Sequence, residues 1–353
     1  MRKSTALRAA VLLLVLGLAG CGGDDDGGGG ASPATTVGAG IYGFKAGNVD
    51  PAAKFVDFLA FYPAEANVHP GDTVRFQNPA PAPHTVTFGI KPDRSNQPSP
   101  ILTGAKGGAN PVVWGPCVSD QAVPVDATAC PGAPAGGPPP EGTPPPEVSL
   151  PMPLADQAYY NTGVFTGGQT AVIKIAADAK PGAMTFVCLL HPTMIGTLTV
   201  VAADQPTQDQ AALQKAAAAE FSADQADAKQ APSKVVKKPG QVQAGTVGKR
   251  VSVNLFYPPR TDVKAGATLT WVNDSFEPHT VTFGKVLSPE APEVLGPPNV
   301  EPGSAYQGGF AFSGLFGAKP FPSSTFALRF PKAGQYEYTC SIHPGMAGVV
   351  AVK

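Results

Sequence analysis

The sequence predicts an all-β protein made of two tandem Greek-key β-sandwiches joined by a helical linker, and three observations carry that expectation. A stretch of the chain recurs without a gap: "VDFLAFYPAEANVHPGDTVRFQNPAPAPHTVTFG" (56–89) lies against "VSVNLFYPPRTDVKAGATLTWVNDSFEPHTVTFG" (251–284) at a constant offset of 195. Within both copies apolar and polar residues alternate around Gly71 and Gly266 and run on to Asn78 and Asn273, the period of half-buried strands joined by turns. The one strong helical pattern, "TQDQAALQKAAAAEFSADQADAKQA", falls between the copies.

The 353 residues suffice for two domains that each bury a core. With Lys+Arg 25 against Asp+Glu 26 and no basic stripe, nucleic acid is excluded as an expected partner. At the start, Arg2, Lys3 and Arg8 precede "AAVLLLVLGLA", an apolar run too short to span a bilayer, so residues 1–20 read as an export signal. Its end, "LAGC", resembles the lipobox of bacterial lipoproteins. That resemblance implies lipidation of Cys21 and an exported chain anchored by lipid alone on the extracytoplasmic side of the cell envelope. Residues 21–37, Gly-rich and acidic, read as a flexible tether.

The first sandwich is expected over 38–203 and the second over 246–353. "TAVIKIAADAKPGAMTFVC" and "TFALRFPKAGQYEYTC" supply later strands of each. The first copy carries an insertion at about 100–155, too rich in proline for a sheet interior. Cys117 and Cys130 lie close together in it and are expected to form a disulfide, which would contribute about 3 kcal/mol by restricting the unfolded chain. Residues 204–245 read as a helical and Pro/Lys-containing linker opened by a Thr207 to Gln210 capping box. Leu213, Ala217, Phe221 and Ala228 form a thin apolar stripe, which suits either a solvated spacer or a helix packed on a domain.

Cysteine, histidine and methionine then point to the chemistry. "CLLHPTM" (188–194) and "CSIHPGM" (340–346) repeat one Cys-x-x-His-Pro-x-Met arrangement. Of five histidines, four hold matching positions, His84 with His279 and His191 with His343. His69 aligns with Lys264 in a "HPGD" turn and reads as a surface residue. Each copy thus offers a thiolate, two imidazoles and a thioether, the ligand set of a blue copper centre. Structural zinc uses more thiolates and no methionine.

Both copies resemble the cupredoxins, the plastocyanin, azurin and amicyanin family. "LTWVNDSFEPHTVTF" is similar to the plastocyanin segment that ends in the upstream ligand, and Cys-x-x-His-Pro-x-Met matches the short ligand loop of amicyanin. The resemblance implies one type 1 copper held by His84, Cys188, His191 and Met194 and a second held by His279, Cys340, His343 and Met346. It implies single-electron transport between redox protein partners, through the exposed edge of His191 or His343. One departure stands out: Thr85 and Thr280 follow the upstream histidines, where plastocyanins and azurins commonly place Asn. Leu189 and Ser341 follow the cysteines, no His-x-His occurs, and only His69 is left over, so a substrate-reducing copper is not expected and the chain reads as a carrier, not an enzyme. Copper buffering or delivery is the competing expectation.

Overall fold

The computed structural model describes residues 35–39, 55–78, 83–90, 115–119, 147–149, 154–155, 159–165, 169–191, 193–284, 296–319, 321–343 and 345–353. The expected export signal, Cys21, Cys130 and most of the Pro-rich insertion lie outside them.

The first copy contributes β1 (Thr35–Ala39), β2 (Val56–Phe58), β3 (Phe61–Tyr62), β4 (Glu65–Val68), β5 (Thr73–Gln77), β6 (Thr87–Phe88), β7 (Cys117–Ser119), β8 (Glu147–Ser149), β9 (Tyr159–Asn161), β10 (Thr170–Lys174), β11 (Gly182–Val187) and β12 (Ile195–Val200). After helix α1 (Gln210–Gln230) come β13 (Gln241–Val247), β14 (Val251–Tyr257), β15 (Arg260–Val263), β16 (Thr268–Val272), β17 (Thr282–Phe283), β18 (Ala311–Phe312), β19 (Thr325–Arg329), β20 (Gly334–Thr339) and β21 (Ala347–Val352). They form four sheets, with strand orders β3-β1-β5-β10-β8 and β4-β12-β11-β6-β9-β7 in the first copy, and β19-β16-β13-β14-β2 and β15-β21-β20-β17-β18 in the second. The protein is all-β apart from its linker, two β-sandwiches in tandem.

Alternation explains the layers. β5 and β16 bury every second residue, and Phe76 and Trp271, equivalent at the offset of 195, sit at the centres of the two cores. Phe61, Phe88 and Phe186 surround the first core, while Phe283, Phe326 and Tyr338 pack around Trp271 with ring centroids 5.2–5.9 Å away. Each fully buried ring or aliphatic chain contributes roughly 1.5–3 kcal/mol. Both copies carry a cis peptide at the same place, Tyr62–Pro63 and Tyr257–Pro258.

Three strands fall outside the bounds or the copy expected from the sequence. β1 begins inside the stretch read as tether, pairing in parallel with β5 and antiparallel with β3. β13 begins inside the stretch read as linker and pairs in parallel with β16. β2, first-copy by sequence, joins the second copy's sheet, with Val251 opposite Phe58, Ser252 opposite Asp57 and Val253 opposite Val56. Asp57 and Ser252 are equivalent positions, so the two copies meet about a local pseudo-two-fold axis.

Helix α1 covers this junction. Its N-cap is Asp209, whose side chain accepts from the Ala212 N–H at 2.7 Å, and not the Thr207 to Gln210 box; an Asp directly before the first turn reaches the orphan N–H groups from the N-cap position. Of the two expectations for the helix, packing is what the structure has. Phe221 lies 4.7 Å from the Phe58 ring, and Ala228 is buried with Val56, Tyr62, Val251 and Val253 from both copies. Tyr62 donates to the buried Asp224, which also pairs with Arg250 at 3.0 Å. Among the described residues no helix is long and apolar enough to cross a membrane.

Candidate metal centres

Each upstream histidine is placed by a short bridge and a buried asparagine. His84 bridges Phe165, and His279 bridges Phe316. Asn273, at the end of β16, donates to the carbonyls of Glu277 and Phe316 at 2.7 and 2.9 Å, and Asn78 donates to Phe165 O at 3.1 Å. The loop before the histidine is thereby pinned to the sandwich.

The downstream residues leave β11 and β20 in one tight turn. In the first copy, Cys188 N–H donates to Met194 O and Met194 N–H to His191 O, at 2.9 and 3.0 Å; Cys340, Met346 and His343 repeat this at 2.9 and 3.1 Å. Met194 and Met346 are buried in the same apolar clusters as their cysteines. Thr85 and Thr280 brace these turns despite replacing Asn. The hydroxyl of Thr85 accepts from Leu189 N–H, and that of Thr280 from Ser341 N–H, both at 2.8 Å. Their backbone N–H groups donate to the cysteine sulfurs at 3.4 and 3.3 Å.

The structure brings together His84, Cys188 and His191, and separately His279, Cys340 and His343. Cys188 Sγ lies 3.9 Å from His84 Nδ1 and 3.5 Å from His191 Nδ1; Cys340 Sγ lies 3.9 Å from His279 Nδ1 and 3.4 Å from His343 Nδ1. His279 Nδ1 and His343 Nδ1 are 3.0 Å apart. Donor atoms at such separations are what bonds of about 2 Å meeting at one ion produce. All six groups are buried, and four Nδ1 atoms face their sulfurs. The donor set therefore fits a soft transition metal. His69 stands apart, its Nε2 at 2.8 Å from Gln205 O.

Electrostatics prepare the thiols for that role. Burial pushes Cys188 up, but the hydrogen bond and charge of His84, with backbone N–H groups of Thr85 and Leu190, outweigh it and hold the thiol below its usual range. Burial works against Cys340 too, and the charge of His343 with hydrogen bonds from His279 and His343 brings it well below. His84 and His279 are lowered, chiefly by burial. For His343, burial favours the neutral ring, yet Cys340 and then Glu277 raise it well above the usual imidazole range. A thiolate is the ligand form, so the sites are disposed toward metal before it arrives.

The expected exposed histidine edge is not found. His191 and His343 are 6% and 5% exposed, because the pairing of β2 with β14 turns both edges toward the junction between the copies. Thr193 Oγ1 lies 3.5 Å from Leu59 O. In the second loop the aligned residue is Gly345, at φ +83, where a Cβ would meet the Phe55 ring at 2.6 Å; only glycine lets β2 approach so closely.

Two buried carboxylates that sequence reasoning missed occupy the junction. Glu277 Oε1 lies 3.3 Å from His343 Nε2 and 4.0 Å from His191 Nε2, and Asp57 Oδ2 lies 3.9 Å from His343 Nε2. Their signal was present as mismatches between aligned copies: Glu277 stands against Ala82, and Asp57 against Ser252. Burial raises Glu277, but the His343 hydrogen bond and three imidazole charges leave it lowered. Burial dominates at Asp57, pushing it up to about 6 from 3.8 against His343, His191 and the Asn254 hydrogen bond.

Asp57 therefore yields a pH prediction. Between about pH 4 and 6 the folded chain holds a proton that the unfolded chain has lost, so metal-free stability falls as pH rises through about 6. The full loss is about 3 kcal/mol. Asp57→Asn is expected to be more stable than the parent at pH 7.5 and equal to it near pH 4 in urea titrations. A difference independent of pH would refute the assignment.

Cys117 is disulfide-bonded, and its expected partner Cys130 lies outside the described residues; Cys188 and Cys340 are buried thiols that form no disulfide.

Each β-sandwich holds a buried Cys-His-His triad with a methionine closing the same turn, a donor arrangement that suits the class of copper proteins. Residues 242–353 match the family of copper binding proteins described as plastocyanin/azurin. Amicyanin of Paracoccus versutus is 32% identical over 28% of this chain and 58% of its own length. Amicyanin-alpha of Methylorubrum extorquens is 30% identical over 39% of this chain and 94% of its own length. The crystal structure of the Paracoccus versutus protein aligns at 25% identity with a TM-score of 0.22, over 35% of this chain and 89% of that one. The chain belongs to the plastocyanin/azurin family, the cupredoxins.

Proposed function

We propose that this chain is an exported blue copper protein that carries single electrons between redox protein partners, with one type 1 copper in each of its two β-sandwich domains. The observation that carries the reading is the equivalence of the two buried triads, His84/Cys188/His191 and His279/Cys340/His343, each with a buried methionine on the cysteine turn. Bound copper would supply a one-electron Cu(I)/Cu(II) couple. The chain's part is to hold the donors still. Thr85 and Thr280 tie the upstream histidine to the cysteine turn, the turn closes on itself, and the aromatic cores fix both strands. A donor set that cannot relax serves either oxidation state with little rearrangement, and its burial favours retention of the ion over delivery. Lipid at Cys21 would tether the protein to the envelope.

Absorption spectra with copper quantification on the soluble chain test the reading: two coppers and intense thiolate-to-copper colour are expected, and a colourless or zinc-loaded protein would overturn it. Turnover of dioxygen or nitrite is not expected. The two triads use four of the five histidines, and His69 is engaged with Gln205 O. Steady-state turnover well above that of free copper, abolished by His69→Ala, would overturn the carrier assignment.

A further inference from the structure

We propose that Glu277 is a positioning residue shared by the two centres and that it makes them unequal, holding the second at the lower reduction potential. The proposal rests on reading both triads as copper sites.

The geometry is asymmetric where the sequence is repeated. Glu277 leaves the loop before His279, is 2% exposed, and sets one oxygen against ligand imidazoles of both copies. Its Oε1 is within hydrogen-bond reach of His343 Nε2 at 3.3 Å; His191 Nε2, at 4.0 Å, has ion-pair proximity without that bond. The aligned position in the first copy is Ala82, so no mirrored carboxylate comes from that loop. Asp57 adds a second carboxylate near His343, at 3.9 Å.

Both imidazoles turn Nδ1 to their sulfur, which leaves Nε2–H as the outward donor. A carboxylate accepting that proton fixes the ring's tautomer and orientation and makes Nδ1 a stronger donor. A stronger donor and a nearby negative charge both favour the higher oxidation state. The effect decays with distance, so it acts more on His343 than on His191. Packing alone does not account for the charge. Glu277 Oε2 is buried with no hydrogen-bond partner among the described residues, and a glutamine would fill the space without burying a carboxylate.

The test uses the soluble chain with Glu277→Gln, which removes the charge, and Glu277→Ala, the residue that the first copy carries. Potentials are read by spectroelectrochemistry in backgrounds where one centre is coloured: Cys188→Ser for the second and Cys340→Ser for the first. In the parent the second centre is expected at the lower potential. Glu277→Gln should raise it by at least twice the shift seen at the first. In metal-free protein, nitrogen-15 spectra should show a hydrogen-bonded His343 Nε2–H that Glu277→Ala loses. Unmoved potentials, equal shifts, or a His343 signal that survives Glu277→Ala would overturn the proposal while leaving two coloured centres intact. A parent that binds no copper would instead sink the copper reading, and the nitrogen-15 arm would still decide whether Glu277 positions His343.

Discussion

Cys188→Ser and Cys340→Ser are each expected to remove about half of the visible thiolate-to-copper absorption and one of two bound coppers, and the double variant all of it. Each cysteine is the single thiol of its triad, with both partner Nδ1 atoms 3.4–3.9 Å from the sulfur. Serine keeps the volume but its hydroxyl stays protonated at neutral pH, so it supplies neither the soft donor nor the colour. The two cores are distinct clusters, so loss of one ion should leave the other ligand set in place. Absorption spectra and copper analysis on the same samples decide it. Loss of all colour from either single change would mean that one shared centre, and not two, gives the spectrum.

Gly245→Ala is expected to empty the second centre while sparing the first. Gly245 sits at the irregularity of β13 between Ala244 and Thr246, with φ +68, a conformation that costs a side-chain-bearing residue roughly 1–2 kcal/mol. More directly, a Cβ there would lie 2.1 Å from His279 Nε2. The His279 ring is fully buried and its Nε2 has no hydrogen-bond partner among the described residues, so it can move only by leaving the triad. Changes to the groups that hold a metal's ligands in place typically cost 10–100-fold in affinity, and a Cβ against the ring acts on a ligand itself. Copper titration should give one tight site per chain in the variant, with the spectrum of Cys340→Ser. Two undiminished tight sites would show that the backbone of β13 yields and that the close approach does not set the ring.

The offset of 195 and the two Cys-x-x-His-Pro-x-Met turns made the repeat, the sandwiches and both triads legible, because a strand's period of two and a metal's demand for particular donors are local properties. The threonines were visible only as a departure from the family's Asn. That Thr85 and Thr280 still brace the cysteine turns follows from a hydroxyl reaching an N–H 104 or 61 residues away. The helix was legible as a helix, but not its cap at Asp209 nor its seat over Phe58 and Tyr62, since a thin apolar stripe fits a spacer and a packed helix alike. What the sequence determined by itself was the pair of donor sets and the sandwiches that carry them. What only the tertiary structure decided was that β2 crosses into the other copy's sheet, that His191 and His343 turn inward, and that Asp57 and Glu277 meet them there. Strand exchange and charge burial depend on which surfaces touch, and two copies with the same hydrophobic pattern carry no local signal of how their faces meet.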